Sequence, residues 1–361
     1  MAVYVLGINA YDHDVSACLL KDGEVVAAIA KERITRIKHD SGFFQEVVDY
    51  CLAAGGVPLE GVDLVARNCY MLPVPEMERR LLSSHQPYHM TLREREQARA
   101  SPLYLPDSPK FVTCSHHLAH AYSAFACAPF DDGAVMVIDG VGSYRADVVE
   151  RIPPGCEAHP CAREAESYYV FRGAELECVR KVWLEPTRGI VNDDFFGMPG
   201  IGAAYSRVST YVFGHWDKCG EVMGLAPYGR PGRPRLFEIG NGDLRVPEWP
   251  IDLCHPFLGP NDRRWEQSPH RKEWEDLCWR VQEDAEEALL RRAAWLHETT
   301  GARRLCLAGG VALNCVANGK LLERGPFREI FIQPAAGDDG VALGCALWGH
   351  LARTGGKRAY V

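Results

Sequence analysis

Apolar runs separated by short polar turns open the chain. YVLGIN, VSACLL and EVVAAIA each predict a strand, with a polar turn from Asn9 to Asp14 and a tight turn at Asp22-Gly23. About 130 residues later, AVMVIDGVGSYRADVVERI and its continuation SYYVFRGAELECVRKVW repeat that order. The first turn of each copy is rich in Gly, Asp or Asn, which let backbone amides face a phosphate. A duplicated unit of this kind, each copy followed by helices, predicts a two-lobed nucleotide-binding fold with one turn from each lobe facing a shared cleft. Two ordinary hairpins fit the same pattern.

Between the copies, DSGFFQEVVDYCLAAGG predicts an amphipathic helix ending at Gly55-Gly56, and VDLVARNCY a strand. Leu72 to Lys110 reads as a surface helical excursion, with the charges of LREREQARA as a solvated face. From Trp274 to Thr300 apolar residues recur at three and four spacing, a long helix stopped by Gly301. The strand RLCLAGG, a helix from about Ala312 and the strand EIFIQP follow, so the class is α/β with a mixed sheet.

Composition narrows the class of function. The 361 residues are 47% hydrophobic and 24% charged, which excludes disorder and a coiled coil and suits two domains or two joined halves. Against 40 Lys and Arg stand 48 Asp and Glu, a formal charge of −8, with no basic cluster for a nucleic-acid partner. The N-terminus lacks a basic, long-apolar export signal, and no run reaches the roughly 18 apolar residues of a membrane span, so a cytoplasmic protein is expected. The 14 cysteines are scattered without a CxxC pair, as buried free thiols are. Cys156, His159 and Cys161 could form half a zinc site, but a structural site needs a second pair nearby.

Four places carry candidate chemistry. In SHHLAHAYSAF, His116 and His120 fall on one face of a predicted helix, close enough to share a metal, with His117 on another face. VIDGVGS delivers Asp139 from a strand into a turn at Gly140 and Gly142, which suits a metal, a polyphosphate or a plain Asx turn. LAGGVALN places Gly309 and Gly310 where a strand enters a helix, an anion-binding arrangement or simply tight packing. QPAAGDDG offers Asp338, behind Gly337, as a second carboxylate at a strand end. Together they point to a nucleotide with a metal in a cleft.

These segments resemble the O-carbamoyltransferases of antibiotic and nodulation-factor biosynthesis. The resemblance rests on GINAYDHDVSACLL, ERITRIKHDSGF, SHHLAHAYSAF, VIDGVGS, VMGLAPYG, LAGGVALNCVANGKL and QPAAGDDGVALGCA, in that order, across nearly the whole chain. It implies the two-lobed actin-like ATPase fold, with lobes over residues 1–130 and 131–361. It further implies a divalent metal of iron type held by His116, His120, Asp139 and Asp338. By the same resemblance Gly140, Gly142, Gly309, Gly310, Asn314 and Gly337 contact the nucleotide, and His13 and Lys38 lie near the carbamoyl group. The implied reaction makes carbamoyl adenylate from carbamoyl phosphate and ATP, then passes the carbamoyl group to a hydroxyl of a small-molecule acceptor with departure of AMP.

Two features depart from that family. Glu221 stands where a lysine usually precedes MGLAPYG, which puts a phosphate or substrate contact in doubt or marks a tolerated surface change. The YrdC-like activation domain that follows in family members is expected to be missing. The resemblance then implies a partner protein that supplies the adenylate, with a homodimer left open. A non-catalytic nucleotide-binding regulatory subunit and a tRNA threonylcarbamoyl transferase are the alternatives; the retained ligands argue against the first and the acidic charge against the second.

Overall fold

The computed structural model describes residues 2–10, 13–68, 91–103, 110–184, 200–236, 238–240, 243–245 and 267–358. β1 (Tyr4–Asn9), β2 (Ser16–Lys21) and β3 (Glu24–Ala30) form the expected antiparallel meander. α1 (Lys31–Thr35) and α2 (Gln45–Gly55) follow, and Gly56 ends α2 at φ +59°, a left-handed conformation that glycine adopts without steric cost. β4 (Leu64–Arg67), α3 (Leu92–Ala100) and β5 (Phe111–Thr113) complete the first sheet, whose order is β3-β2-β1-β4-β5. β4 runs parallel to β1, with Val5 opposite Leu64.

After α4 (His116–Phe125) come β6 (Asp132–Ile138), β7 (Arg163–Arg172) and β8 (Glu175–Leu184), again antiparallel. The chain continues through α5 (Ile201–Phe213), α6 (Cys219–Leu225), a hairpin of β9 (Glu238–Gly240) and β10 (Asp243–Arg245), and α7 (Arg271–Thr300). β11 (Arg304–Ala308), α8 (Cys315–Arg324), β12 (Glu329–Ile332) and α9 (Val341–Trp348) follow. β11 lies parallel to β6, with Leu305 opposite Ala134, and the second sheet has the order β12-β11-β6-β7-β8. Read from its other edge, this is the first sheet strand for strand. The fold is the duplicated, two-lobed actin-like α/β architecture. One stretch differs from expectation: RADVVERI does not form the second strand of its copy. Arg145–Asp147 makes a 3-10 turn, and the strand starts only at Arg163.

The position between residues 130 and 131 separates the strands of the two sheets, but the helices at the centre cross over. α4 packs on β6, β7 and β11 of the second sheet, while α9 packs on β1, β2 and β4 of the first. Their apolar sides share one core with both sheets, including Val5, Ala119, Val137 and Cys345. A second core lies between the first sheet and α2, and a third between the second sheet and α5 and α7. Glycine makes the close crossing feasible. A Cβ at Gly344 on α9 would overlap the Ala119 carbonyl of α4, and one at Gly7 on β1 would overlap the backbone of α9. Among the described residues no helix is long and apolar enough to cross a membrane.

Candidate active site

The crossing brings the start of α4 and the turn before α9 to the end of β6. His116 and His120 project from one face of α4, Asp139 follows the last residue of β6, and Asp338 opens the 3-10 turn that enters α9. Their four donor atoms lie within 4.8 Å of one another. His116 Nε2 is 3.1 Å from His120 Nε2, 3.0 Å from Asp139 Oδ2 and 3.4 Å from Asp338 Oδ1. His120 Nε2 is 3.5 Å from Asp139 Oδ2 and 3.3 Å from Asp338 Oδ1. Bonds of about 2.1 Å to one ion place neighbouring ligand atoms roughly 3.0–3.5 Å apart, so the set fits a single metal. Two imidazoles with two carboxylates suit a divalent transition metal.

The electrostatics agree. Burial opposes charge on His116, but the Asp338 and Asp139 carboxylates outweigh it and raise the imidazole well above its usual range. His120 is raised too, burial being outweighed by hydrogen bonds to Asp139 and Asp338. Burial pushes both carboxyls up, yet the imidazoles hold Asp139 and Asp338 below the carboxylate range. Replacing imidazole protons by a divalent cation preserves this charge balance.

The glycine turns build this centre. Asp139 Oδ1 accepts from Gly140 N at 2.8 Å and Gly310 N at 3.0 Å, which turns Oδ2 toward the histidines. Gly309, at φ +92°, sits against the Ile138 backbone, where a Cβ has no room, and donates its amide to Ala336 O. Gly142 lies behind the centre, packed on His117 and Glu164, and Gly337 precedes Asp338. Asn314 caps α8 by accepting from Ala317 N and pairs with Gln282. Several amides read in the sequence as facing a phosphate are therefore engaged within the protein.

Of the two first-lobe residues, His13 reaches the centre: its Nε2 is 3.5 Å from Asp338 Oδ2. Asn9 Nδ2 ties this turn down by donating to the carbonyls of Asp14 and Asp338. Lys38 is exposed, and the neighbouring His39 turns inward to place Nδ1 2.8 Å from Asp14 Oδ1. Trp216, from the second half, packs its ring 4.8 Å from that of His13. Much of the stretch from Leu72 to Lys110, expected as a surface helical excursion, falls in 69–90 and 104–109, outside the described residues.

Sequence reasoning missed several supporting groups. Asn68, just after β4, has its amide nitrogen 2.8 Å from His116 Nδ1. The buried Glu164 accepts from His117 N and Ser143 N through Oε2, and Lys181 pairs with Oε1. Ser143 Oγ in turn accepts from His116 N at 2.9 Å. No local motif marks Asn68, Glu164 or Lys181, because they come from β7, β8 and a loop distant in sequence, while Ser143 closes the VIDGVGS segment and was missed there. Glu221 lies in the first turn of α6, 47% exposed and 3.5 Å from Lys218, outside the metal cluster. Cys156, His159 and Cys161 form no metal-ligand cluster among the described residues.

Comparison with known proteins adds to this geometry. The profile of the family described as Carbamoyltransferase N-terminus matches residues 4–70, 78–241 and 253–347. An uncharacterised protein of Synechocystis sp. is 33% identical over 95% of this chain and 56% of its own length. The nodulation protein NolNO of Sinorhizobium fredii is 33% identical over 94% of this chain and 46% of its own length. The chain thus spans about half the length of these relatives. T. kodakarensis HypF has a TM-score of 0.53 at 13% identity, covering 98% of this chain and 48% of HypF. Full-length HypF in its phosphate- and nucleotide-bound form has a TM-score of 0.51 at 14% identity, covering 96% and 55%. At such identities the likeness shows the fold alone.

Proposed function

Because the chain belongs to the carbamoyltransferase family whose N-terminal region it matches, we propose that it transfers a carbamoyl group from carbamoyl adenylate to a hydroxyl of a small-molecule acceptor. The adenylate comes from a separate protein or a further domain. The observation that carries this reading is the approach of His13 to Asp338, which sets an imidazole beside a four-ligand metal centre in the cleft between two lobes.

His116, His120, Asp139 and Asp338 hold a divalent ion, Fe(II) being the first candidate; when bound it supplies Lewis-acid polarisation and charge neutralisation for carbonyl and phosphate oxygens. The acceptor oxygen attacks the carbamoyl carbon, its proton passes to His13 Nε2, and the bond from that carbon to the adenylate oxygen breaks to release AMP. Trp216 walls one side of His13 and limits water there. Lys38 is exposed beside His39, and its part as a cation for the departing phosphate rests on the family resemblance alone. The narrow turns at Gly140, Gly309, Gly310 and Gly337 keep side chains out of the space beside Asp139 and Asp338 where the nucleotide phosphate approaches.

The test is to incubate the Fe(II)-treated chain with synthetic carbamoyl adenylate and a panel of polyols and sugars, and to follow carbamoylated product by mass spectrometry. Transfer is expected from the adenylate and not from carbamoyl phosphate with ATP. Asp338→Asn should lower transfer roughly 100-fold or more together with bound metal. Transfer from carbamoyl phosphate and ATP without a second protein would refute the external source. Nucleotide binding by calorimetry with no transfer in either arm would favour a regulatory subunit.

A further inference from the structure

We infer that Asp14 and His39 are positioning residues that fix the ring of His13 with Nε2 toward the metal cleft. A single carboxylate bridges two imidazoles: Asp14 Oδ2 is 2.8 Å from His13 Nδ1, and Asp14 Oδ1 is 2.8 Å from His39 Nδ1. An ionised carboxylate only accepts hydrogen bonds, so both Nδ1 atoms donate and carry the proton. The Nε2 of His13 is then the ring atom turned to the cleft, where it faces Asp338 at 3.5 Å. A carboxylate that holds Nδ1–H of a histidine sets the tautomer and direction of the ring, as it does in hydrolase triads and in metal-ligating pairs.

The bridge is itself held on every side. Asp14 and His39 both adopt left-handed backbone conformations, φ +54° and +55°, uncommon outside glycine though more accessible to Asp and His than to most residues. For Asp14 the constraint is Asn9 Nδ2 on its carbonyl at 2.9 Å; for His39 it is Glu32 Oε2, which accepts from its backbone amide at 3.0 Å. Trp216 covers the rings, 4.8 Å from His13 and 6.4 Å from His39. Burial would raise the Asp14 carboxyl, but its two histidine partners outweigh that and keep it below its usual range, as a bridging acceptor must be. His39 thereby gains a role through Asp14 without touching the reacting atoms.

The catalytic consequence rests on the transfer reading above; the ring orientation does not. The decisive measurement is the His13 tautomer in the 15N-histidine-labelled full chain at about pH 8.5, where an ordinary imidazole is neutral. Long-range proton–nitrogen correlation reads it, with His13→Asn identifying the signal. The expected result is Nδ1–H in the native chain, a shift toward Nε2–H in Asp14→Ala and His39→Ala, and Nδ1–H restored in His39→Asn, whose amide can donate from the same place. In transfer from synthetic carbamoyl adenylate, Asp14→Ala should lower kcat about 100-fold with KM little changed. An Nε2–H tautomer in the native chain, or Nδ1–H unaltered in both alanine variants, overturns the inference. Should Asp14→Ala not fold, His39→Ala decides alone. An inactive native chain with the expected tautomers sinks the transfer reading and leaves the orientation standing.

Discussion

Asn68 makes the most direct demand on the metal centre after the ligands themselves. Ligation through Nε2 of His116 leaves the proton on Nδ1, and the Asn68 amide, whose nitrogen lies 2.8 Å from Nδ1, accepts a hydrogen bond from that proton once turned over so that its oxygen takes the nitrogen's place. Removing such a partner frees the ring and typically weakens metal binding 10- to 100-fold. Asn68→Ala should therefore lower Fe(II) or zinc affinity by about that factor in calorimetry, with the fold unchanged by circular dichroism. The four residues of the candidate metal cluster each sit in a local context that the sequence marks: histidines at helical spacing, carboxylates at strand ends beside glycine. Asn68 had no such mark. The same limit explains the turn after α1, where Lys38 drew the expectation and His39 faces the cleft. Which of two adjacent side chains turns inward depends on the left-handed φ of His39, a backbone property that residue type alone does not fix.

At the scale of elements, α3 shows a charged helix that does more than solvate. Its Thr91 and Glu94 form a capping box, satisfying the helix-start amide of Glu94 and the amide of Thr91. Glu94 also pairs with the buried Lys31 at 2.6 Å, which in turn donates to Ser41 O. LREREQARA is thus clamped to the start of α1 through one of its charges, while Arg93, Glu96 and Gln97 are exposed, as a solvated face requires. Burial would raise the Glu94 carboxyl, but Lys31 and Thr91 hold it below the ordinary 4.5. A lowered folded value means that the stabilisation is complete above the unfolded value and disappears as pH falls through the folded one. Urea midpoints should accordingly drop from pH 7 to pH 3 in the native chain, and Glu94→Gln should be less stable at pH 7 with a flatter slope below pH 4.5.

For the whole molecule, the crossing of α4 and α9 joins the two halves and creates the site in one arrangement. His116 and His120 enter on one helix, Asp338 on the approach to the other, and Gly344 against Ala119 sets how closely the two pass. Gly344→Val should push the helices apart, at a cost of about 1–3 kcal/mol for overpacking, and lower the thermal midpoint and the metal stoichiometry together. A fall in midpoint with full metal loading would separate the crossing from the site. The sequence by itself determined the strand meander of the first copy, the helix ends at Gly56 and Gly301, and the local contexts of His116, His120, Asp139 and Asp338, whereas their grouping into one ligand set was implied by the family resemblance. Those are consequences of periodicity, φ preference and residue chemistry over a few neighbouring positions. Only the tertiary structure decided that α4 covers the second sheet and α9 the first, that the Gly140 and Gly310 amides turn Asp139 toward the histidines, and that Asp14 joins His13 to His39. Each of these joins residues far apart in the chain or sets the direction of a side chain, and what selects it is the packing of two sheets about a shared core.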